Sequence, residues 1–300
     1  MKKKATILRS AMRTFTCQIE EESDKKQEIQ ATSIGNLLKF GDLVPGDLVE
    51  VELNAERSWV ITELHPRKNE IFRYLPRVST RKVMASNCDL LCILVSSSKP
   101  SFKRGLLDRF LIRSVQWNVP CIVVFNKIDE YDPQIFDIEQ ESNRVAQLCE
   151  KILQISAKTH EGLDQLRSIL KNKRTLFLGA SGVGKSKTIK ELTNGEVQLI
   201  DQNLGKSNKG QHTTTWAQII NFEEFSFIDS PGIRSLSLDD INKNDLIHYF
   251  PDLHPYALKC QFTNCQHERN SKGCFFYKDS LPDTILGRLE SYKAIFLELG

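Results

Sequence analysis

The chain has 300 residues, enough for two or three domains with a buried core. Hydrophobic residues make up 40% and charged residues 26%, which argues against wholesale disorder. The net charge of +3 is too small to imply nucleic-acid binding by itself, so local clustering must carry any such case.

No apolar run approaches the roughly 18 residues that span a bilayer. The basic start "MKKKATILRSAMRT" mimics a secretion signal, but Arg9 and Arg13 interrupt it before an apolar stretch of about 7 to 15 residues can form. The expected location is the cytosol, with no membrane contact. Cys17, Cys88, Cys92, Cys121 and Cys149 are scattered in apolar surroundings and read as core packing in a reducing compartment.

The first seventy residues read as short strands. "GDLVPGDLVEVEL" sets Val49, Val51 and Leu53 on one face and Glu50 and Glu52 on the other, and "SWVITELHP" is a further strand ended by Pro66. Short strands without a helix suggest a small β-barrel. "HPRKNEIFRYLPRVSTRKV" then carries Arg67, Lys68, Arg73, Arg77, Arg81 and Lys82 against Glu70, and reads as a basic linker or edge, either solvated or in contact with phosphates.

From about residue 86 strands alternate with helices. "DLLCILVSS" is a buried strand, and "RGLLDRFLIRSVQW" is a helix with Leu107, Phe110, Leu111 and Val115 on one face. "CIVVFNK" (strand), "NRVAQLCEKI" (helix), "LQISAK" (strand), "GLDQLRSIL" (helix) and "RTLFLGA" (strand) follow. This alternation predicts a parallel sheet wrapped by helices. The tail, with a cysteine cluster and the helical "TILGRLESYKAIFLEL", reads as a small, mostly α, domain. The expected organisation is a barrel over 1–70, an α/β P-loop domain over 71–235 and a zinc-binding domain over 236–300.

"GASGVGKS" between a strand and a helix is a phosphate-binding loop. Its residues Gly179, Ala180, Ser181, Gly182, Val183, Gly184, Lys185, Ser186 and Lys187 are the expected phosphate contacts. Glycines turn backbone N–H groups inward and the helix N-terminus adds a favourable dipole. Lys185 is expected to reach the β- and γ-phosphates, and Ser186 to ligate Mg²⁺. A second "GKS", at Gly205–Ser207, has Ile200 in place of the first glycine and no strand-to-helix step, so it is rejected.

"NKID" supplies the base-reading group. The two oxygens of Asp129 match the paired donors of guanine, Asn126 braces the loops, and Lys127 lies along the base. Ser156, Ala157 and Lys158 end the next strand as a second guanine-contacting loop. Guanine is thereby favoured over adenine, which argues against a kinase or ATPase. In "FSFIDSPGI", Asp229 is expected to hold Mg²⁺ through a water and Gly232 to sense the γ-phosphate. Thr213, Thr214 and Thr215 are all eligible to complete the Mg²⁺ shell.

The base loops precede the phosphate loop, the reverse of the usual GTPase order. A fold depends on which strands are neighbours, and a cut at a surface loop is tolerated. The pattern is that of a circularly permuted GTPase.

In "CQFTNCQHERNSKGC", Cys260, Cys265, His267 and Cys274 satisfy tetrahedral Zn²⁺ with no open position, a structural site. His248 and His254 lie nearby, with His254 a reserve ligand. The short path from Gly232 to Cys260 suggests that γ-phosphate loss is felt directly by the zinc module.

Taken together, "NKID", "GASGVGKS", "GQHTTT", "DSPG" and the cysteine cluster resemble the RsgA (YjeQ) family of circularly permuted GTPases over nearly the whole chain. The resemblance implies an OB-fold at the N-terminus and GTP hydrolysis to GDP stimulated by the 30S ribosomal subunit. It also implies a role in late 30S maturation, with rRNA among the partners. It selects Thr214 as the catalytic and Mg²⁺-binding threonine beside Lys185, and His212 as the group that positions water. Ile233 stands where many GTPases place a glutamine, so hydrolysis without a partner is expected to be slow. A monomer is expected by analogy. The competing reading is a nucleotide-gated rRNA-binding module with incidental turnover.

Overall fold

The computed structural model describes residues 2–11, 13–20, 27–34, 42–197, 217–229, 237–278 and 280–299. His212, Thr213, Thr214, Thr215, Gly232, Ile233 and the rejected second "GKS" lie outside them.

Five strands open the chain: β1 (Lys3–Ala11), β2 (Thr14–Ile19), β3 (Gln27–Ser33), β4 (Leu48–Leu53) and β5 (Trp59–Leu64). Period-two alternation buries Val49 and Val51 while Glu50 and Glu52 stay partly exposed. Leu53, expected on the buried face, is 51% exposed, because it ends the strand beyond the barrel's cover. The strands follow the order β1-β2-β3-β5-β4, and β4 returns to β1, which closes the barrel in OB-fold order. Ile7, Phe15, Cys17 and Ile61 fill it.

The stretch expected to be a basic linker is a hairpin, β6 (Glu70–Leu75) and β7 (Thr80–Ser86), forming its own two-stranded sheet. Ile71, Phe72, Met84 and Ala85 are buried, so the charges between them had concealed a strand pattern. Its turn, Pro76–Val78, closes on Ser79 in the left-handed region at φ 46°.

The α/β domain comprises β8 (Leu90–Ser96), α1 (Arg104–Trp117), β9 (Cys121–Asn126), α2 (Ile138–Val145), β10 (Lys151–Ile155) and α3 (Leu163–Leu170). It continues with β11 (Arg174–Leu178), α4 (Lys185–Leu192), β12 (Gln218–Phe222) and β13 (Phe225–Asp229). The strand order is β10-β9-β8-β11-β13-β12, parallel throughout except that β12 runs antiparallel to β13. β8 and β9 are buried along their whole length, as expected of strands covered on both faces. The helix expected over residues 143–152 instead occupies 138–145, capped by Asp137, whose side chain accepts from the Gln140 N–H.

Helix α1 buries two faces. Leu107, Phe110, Leu111 and Trp117 meet the sheet, whereas Ile112 joins the core of the C-terminal module. Val115, expected on the apolar face, is 40% exposed, and Ser114 is buried instead.

The barrel is not a loose appendage. β1 pairs antiparallel with β12 at Arg9 and Gln218, so both sheets form one eleven-stranded array. The C-terminal module contains α5 (His254–Ala257) and α6 (Asp283–Glu298) around Leu246, Phe250, Phe276, Leu289 and Tyr292. Buried charges fasten it to the α/β domain. Arg288 of α6 bonds Asp252 at 2.7 Å and also reaches Asp108 of α1, which Arg144 of α2 meets at 2.8 Å.

Candidate nucleotide site and cysteine–histidine centre

Parallel pairing brings the ends of β8, β9, β10, β11 and β13 to one edge, where ligands bind in open α/β sheets. Asn126 follows from β9, Ser156 to Lys158 from β10, Gly179 to Gly184 from β11, and Asp229 from β13. The rearranged order along the chain is thus undone in space.

Asn126 is the keystone of this edge and is 1% exposed. Its Nδ2 donates to the Val183 carbonyl at 2.8 Å, and its Oδ1 accepts from the Ala157 N–H at 3.1 Å. One side chain therefore ties the phosphate loop to both base-reading loops. Gly184, at φ +101°, leaves room for it, since a Cβ there would stand 2.3 Å from Asn126 Nδ2. Gly179, at φ +149°, would likewise place a Cβ 2.4 Å from the Leu94 carbonyl.

Asp129 accepts from the Ser156 hydroxyl at 2.6 Å and lies 3.4 Å from Lys158 Nζ. The Ser156 hydroxyl, with help from Lys158, holds the Asp129 carboxyl below its ordinary value, so it stays ionised at neutral pH. Ser156 Oγ also accepts from the Thr159 N–H at 3.0 Å, which locks this turn. Lys127 stands in the left-handed region at φ 69° and donates to the Lys99 carbonyl.

Lys185 begins α4 and folds back onto its own loop, donating to the Gly179 and Ala180 carbonyls at 2.7 and 2.8 Å. Ser186 and Lys187 are exposed in the first turn of α4, with Ser181 and Gly182 exposed in the loop before it. Asp229 ends β13 half-buried, and its Oδ2 accepts from Gln218 Nε2 at 3.4 Å. Sequence reasoning had missed Gln218, because β12 follows a polar, glycine-rich stretch and gave no strand signal. A cavity of about 220 Å³ lies beside the loop, lined by Leu94, Pro100, Phe102, Leu107, Phe110 and Val183. None of the base-reading residues lines it, so it is not the guanine pocket.

In the C-terminal module, one ligand atom from each of Cys260, Cys265, His267 and Cys274 lies within 4.8 Å of the others. His267 Nδ1 sits 3.5 Å from Cys260 Sγ and 3.9 Å from Cys274 Sγ. Bonds of about 2.0–2.3 Å to a tetrahedral centre set ligand atoms about 3.5–3.8 Å apart. The His267 spacings to Cys260 and Cys274 are therefore close to those of a zinc site, and the four donors would draw together around the ion. Burial, with Lys293 adding to it, lowers the His267 pKa and keeps the imidazole neutral, the form that ligates. Burial chiefly, and then Cys260 and Cys265, push the Cys274 thiol up to about 12, a cost that a cation among the sulfurs reverses. The donors fit a structural zinc ion, which would cross-link the loop and leave no position open. His254 stacks edge-on against His248, ring centroids 4.8 Å apart, and does not belong to the four-residue cluster.

An open α/β sheet, a phosphate loop and a guanine-type loop in permuted order define a P-loop GTPase with a rearranged chain. The family model of the RsgA GTPase matches residues 64–239. Relatives named "Small ribosomal subunit biogenesis GTPase RsgA" include one from Borreliella afzelii, 33% identical over 87% of this chain and 84% of that protein. Another, from Bacteroides fragilis, is 34% identical over 76% of this chain and 74% of the relative. The crystal structure of YjeQ from Thermotoga maritima superposes with a TM-score of 0.80 at 24% identity, covering 100% of this chain and 99% of that one. YloQ, described as a circularly permuted GTPase, gives 0.77 at 21% identity over 100% and 95%. The chain belongs to the RsgA GTPase family and is a GTP-hydrolysing enzyme.

Proposed function

We propose that this GTPase binds the small ribosomal subunit, including its rRNA, and hydrolyses GTP to GDP and phosphate during late maturation of that particle. The relatives' names support the partner, and the Asn126 clamp supports the guanine site. In this reading Asp129 accepts the guanine donors, while Ser156, Ala157 and Lys158 close over the base edge. Gly179 to Lys187 wrap the phosphates with backbone N–H groups, and Lys185 swings from its two carbonyls to the β- and γ-phosphates. Gly232 senses the γ-phosphate.

Oxygen donors suit a hard cation, and Ser186, Thr214 and Asp229 are the proposed set for magnesium. Bound magnesium supplies charge neutralisation at the phosphate oxygens. Ile233 has no group to hold water, so His212 is assigned that task and the ribosomal particle completes the site. Cys260, Cys265, His267 and Cys274 hold a structural zinc ion. The protein acts as a cytosolic monomer. Among the described residues no helix is long and apolar enough to cross a membrane.

Turnover and co-sedimentation with purified 30S subunits test this reading. Strong stimulation together with GTP-dependent binding is expected. Binding without any change in rate would favour a nucleotide-gated rRNA-binding module instead.

A further inference from the structure

A second knot of charge lies away from the nucleotide loops. Arg113 of α1 and Asp240 face each other with side chains 3% and 2% exposed. Arg113 donates twice, to Asp240 Oδ1 at 2.8 Å and Oδ2 at 3.1 Å. Gln116 Nε2 adds a bond to Oδ2 at 2.8 Å, and Arg113 also donates to the Ser237 carbonyl. Ser237 and Asp240 belong to the polypeptide that leads from Asp229 to the cysteine–histidine centre, so α1 pins that connection partway along.

Arg81 of β7 reaches the same carboxylate from outside. Its Nη2 lies 3.3 Å from Asp240 Oδ2, its side chain is 49% exposed, and its guanidinium rests 4.6 Å from the Phe72 ring centroid. The paired bonds from Arg113 already balance the single charge of Asp240. Arg81 is therefore a surplus cation in a half-exposed pair, the kind that contributes little to stability and that a competing anion displaces easily. The hairpin concentrates such competition. Arg73 and Lys82 oppose each other across it, and Arg77 is exposed at its turn, so four cations share one short ribbon.

We infer that Arg81 is a polyanion-sensing arm: an RNA phosphate backbone docking on the β6–β7 hairpin draws Arg81 off Asp240, relieves one tether on the polypeptide beyond Asp229, and raises GTP turnover. The inference rests on the small-subunit reading given above. Arg81 is a positioning residue here and touches no nucleotide.

The test compares wild type, R81A and D240N for turnover alone, turnover at saturating 30S subunits, and subunit affinity. R81A is expected to turn over about two- to fivefold faster than wild type without subunits, the range a half-exposed ion pair supports. Its stimulation by subunits falls by the same factor. D240N shows the same loss of stimulation with subunit affinity near that of wild type, which separates the arm from simple RNA binding. Weaker subunit affinity in R81A with an unaltered stimulation ratio at saturation overturns the inference, whether or not D240N folds. If subunits leave the wild type unaffected, the partner reading fails and poly(U) RNA probes the arm alone. Poly(U) stimulation that R81A reduces sustains the arm, and no stimulation rejects it.

Discussion

Asp129, the proposed reader of guanine, carries a carboxylate that has no freedom to wander. Ser156 and Lys158 fix it from the neighbouring strand, and both keep it charged. An asparagine there has one acceptor and one donor, so it mismatches the paired donors of guanine. D129N is expected to weaken GDP binding about 100-fold or more, the cost of losing a charge-assisted pair, and to favour xanthosine nucleotides. Isothermal titration with GDP and XDP measures both changes. Unchanged GDP affinity would remove Asp129 from the site.

Between a strand and a helix, the phosphate loop depends on space that side chains elsewhere leave open. Gly184 combines a left-handed backbone with a Cβ direction aimed at Asn126, which is pinned by bonds to Val183 and Ala157 and cannot yield. G184A is therefore expected to weaken GDP about 10- to 100-fold, the effect of about 1–3 kcal/mol of strain, without loss of secondary structure by circular dichroism. This edge was readable beforehand because its chemistry is local. Each loop follows a dense apolar run, and "NKID" and "GASGVGKS" need particular residues at fixed spacing. The hairpin was not readable, since Arg73, Arg81 and Lys82 mask the alternation of buried Ile71, Phe72, Met84 and Ala85. Nor was the early position of α2, whose polar run "IEQESN" is stabilised by the Asp137 cap, by Glu141 pairing with Arg104 of α1, and by Arg144 reaching Asp108 of α1 and Ser291 of α6. Contacts of that kind are tertiary and leave no periodic trace.

Across the whole molecule, the modules are joined by buried charge and shared sheet. Arg288 stands between Asp108 and Asp252 with its side chain 1% exposed, so removing it strands the Asp252 carboxylate where water does not reach and leaves Asp108 to Arg144 alone. R288M is expected to cost about 3–5 kcal/mol in urea unfolding, and the double variant R288M/D252N should recover part of it. A midpoint for R288M equal to that of wild type would show that the cluster does not hold the modules together.

The permuted strand order also governs how the protein is born. Within the α/β sheet, β8, β9 and β10 leave the synthesis machinery ahead of β11 and β13 and can pair at once, so one half of the ligand-binding edge is in place before the other exists. β11 must then slot between β8 and β13, which leaves one side of β8 waiting, on the order of ten seconds at ordinary elongation rates. A nascent chain of this design passes through an unfinished sheet whose open flank is its most apolar strand, and there a folding helper has its clearest opportunity.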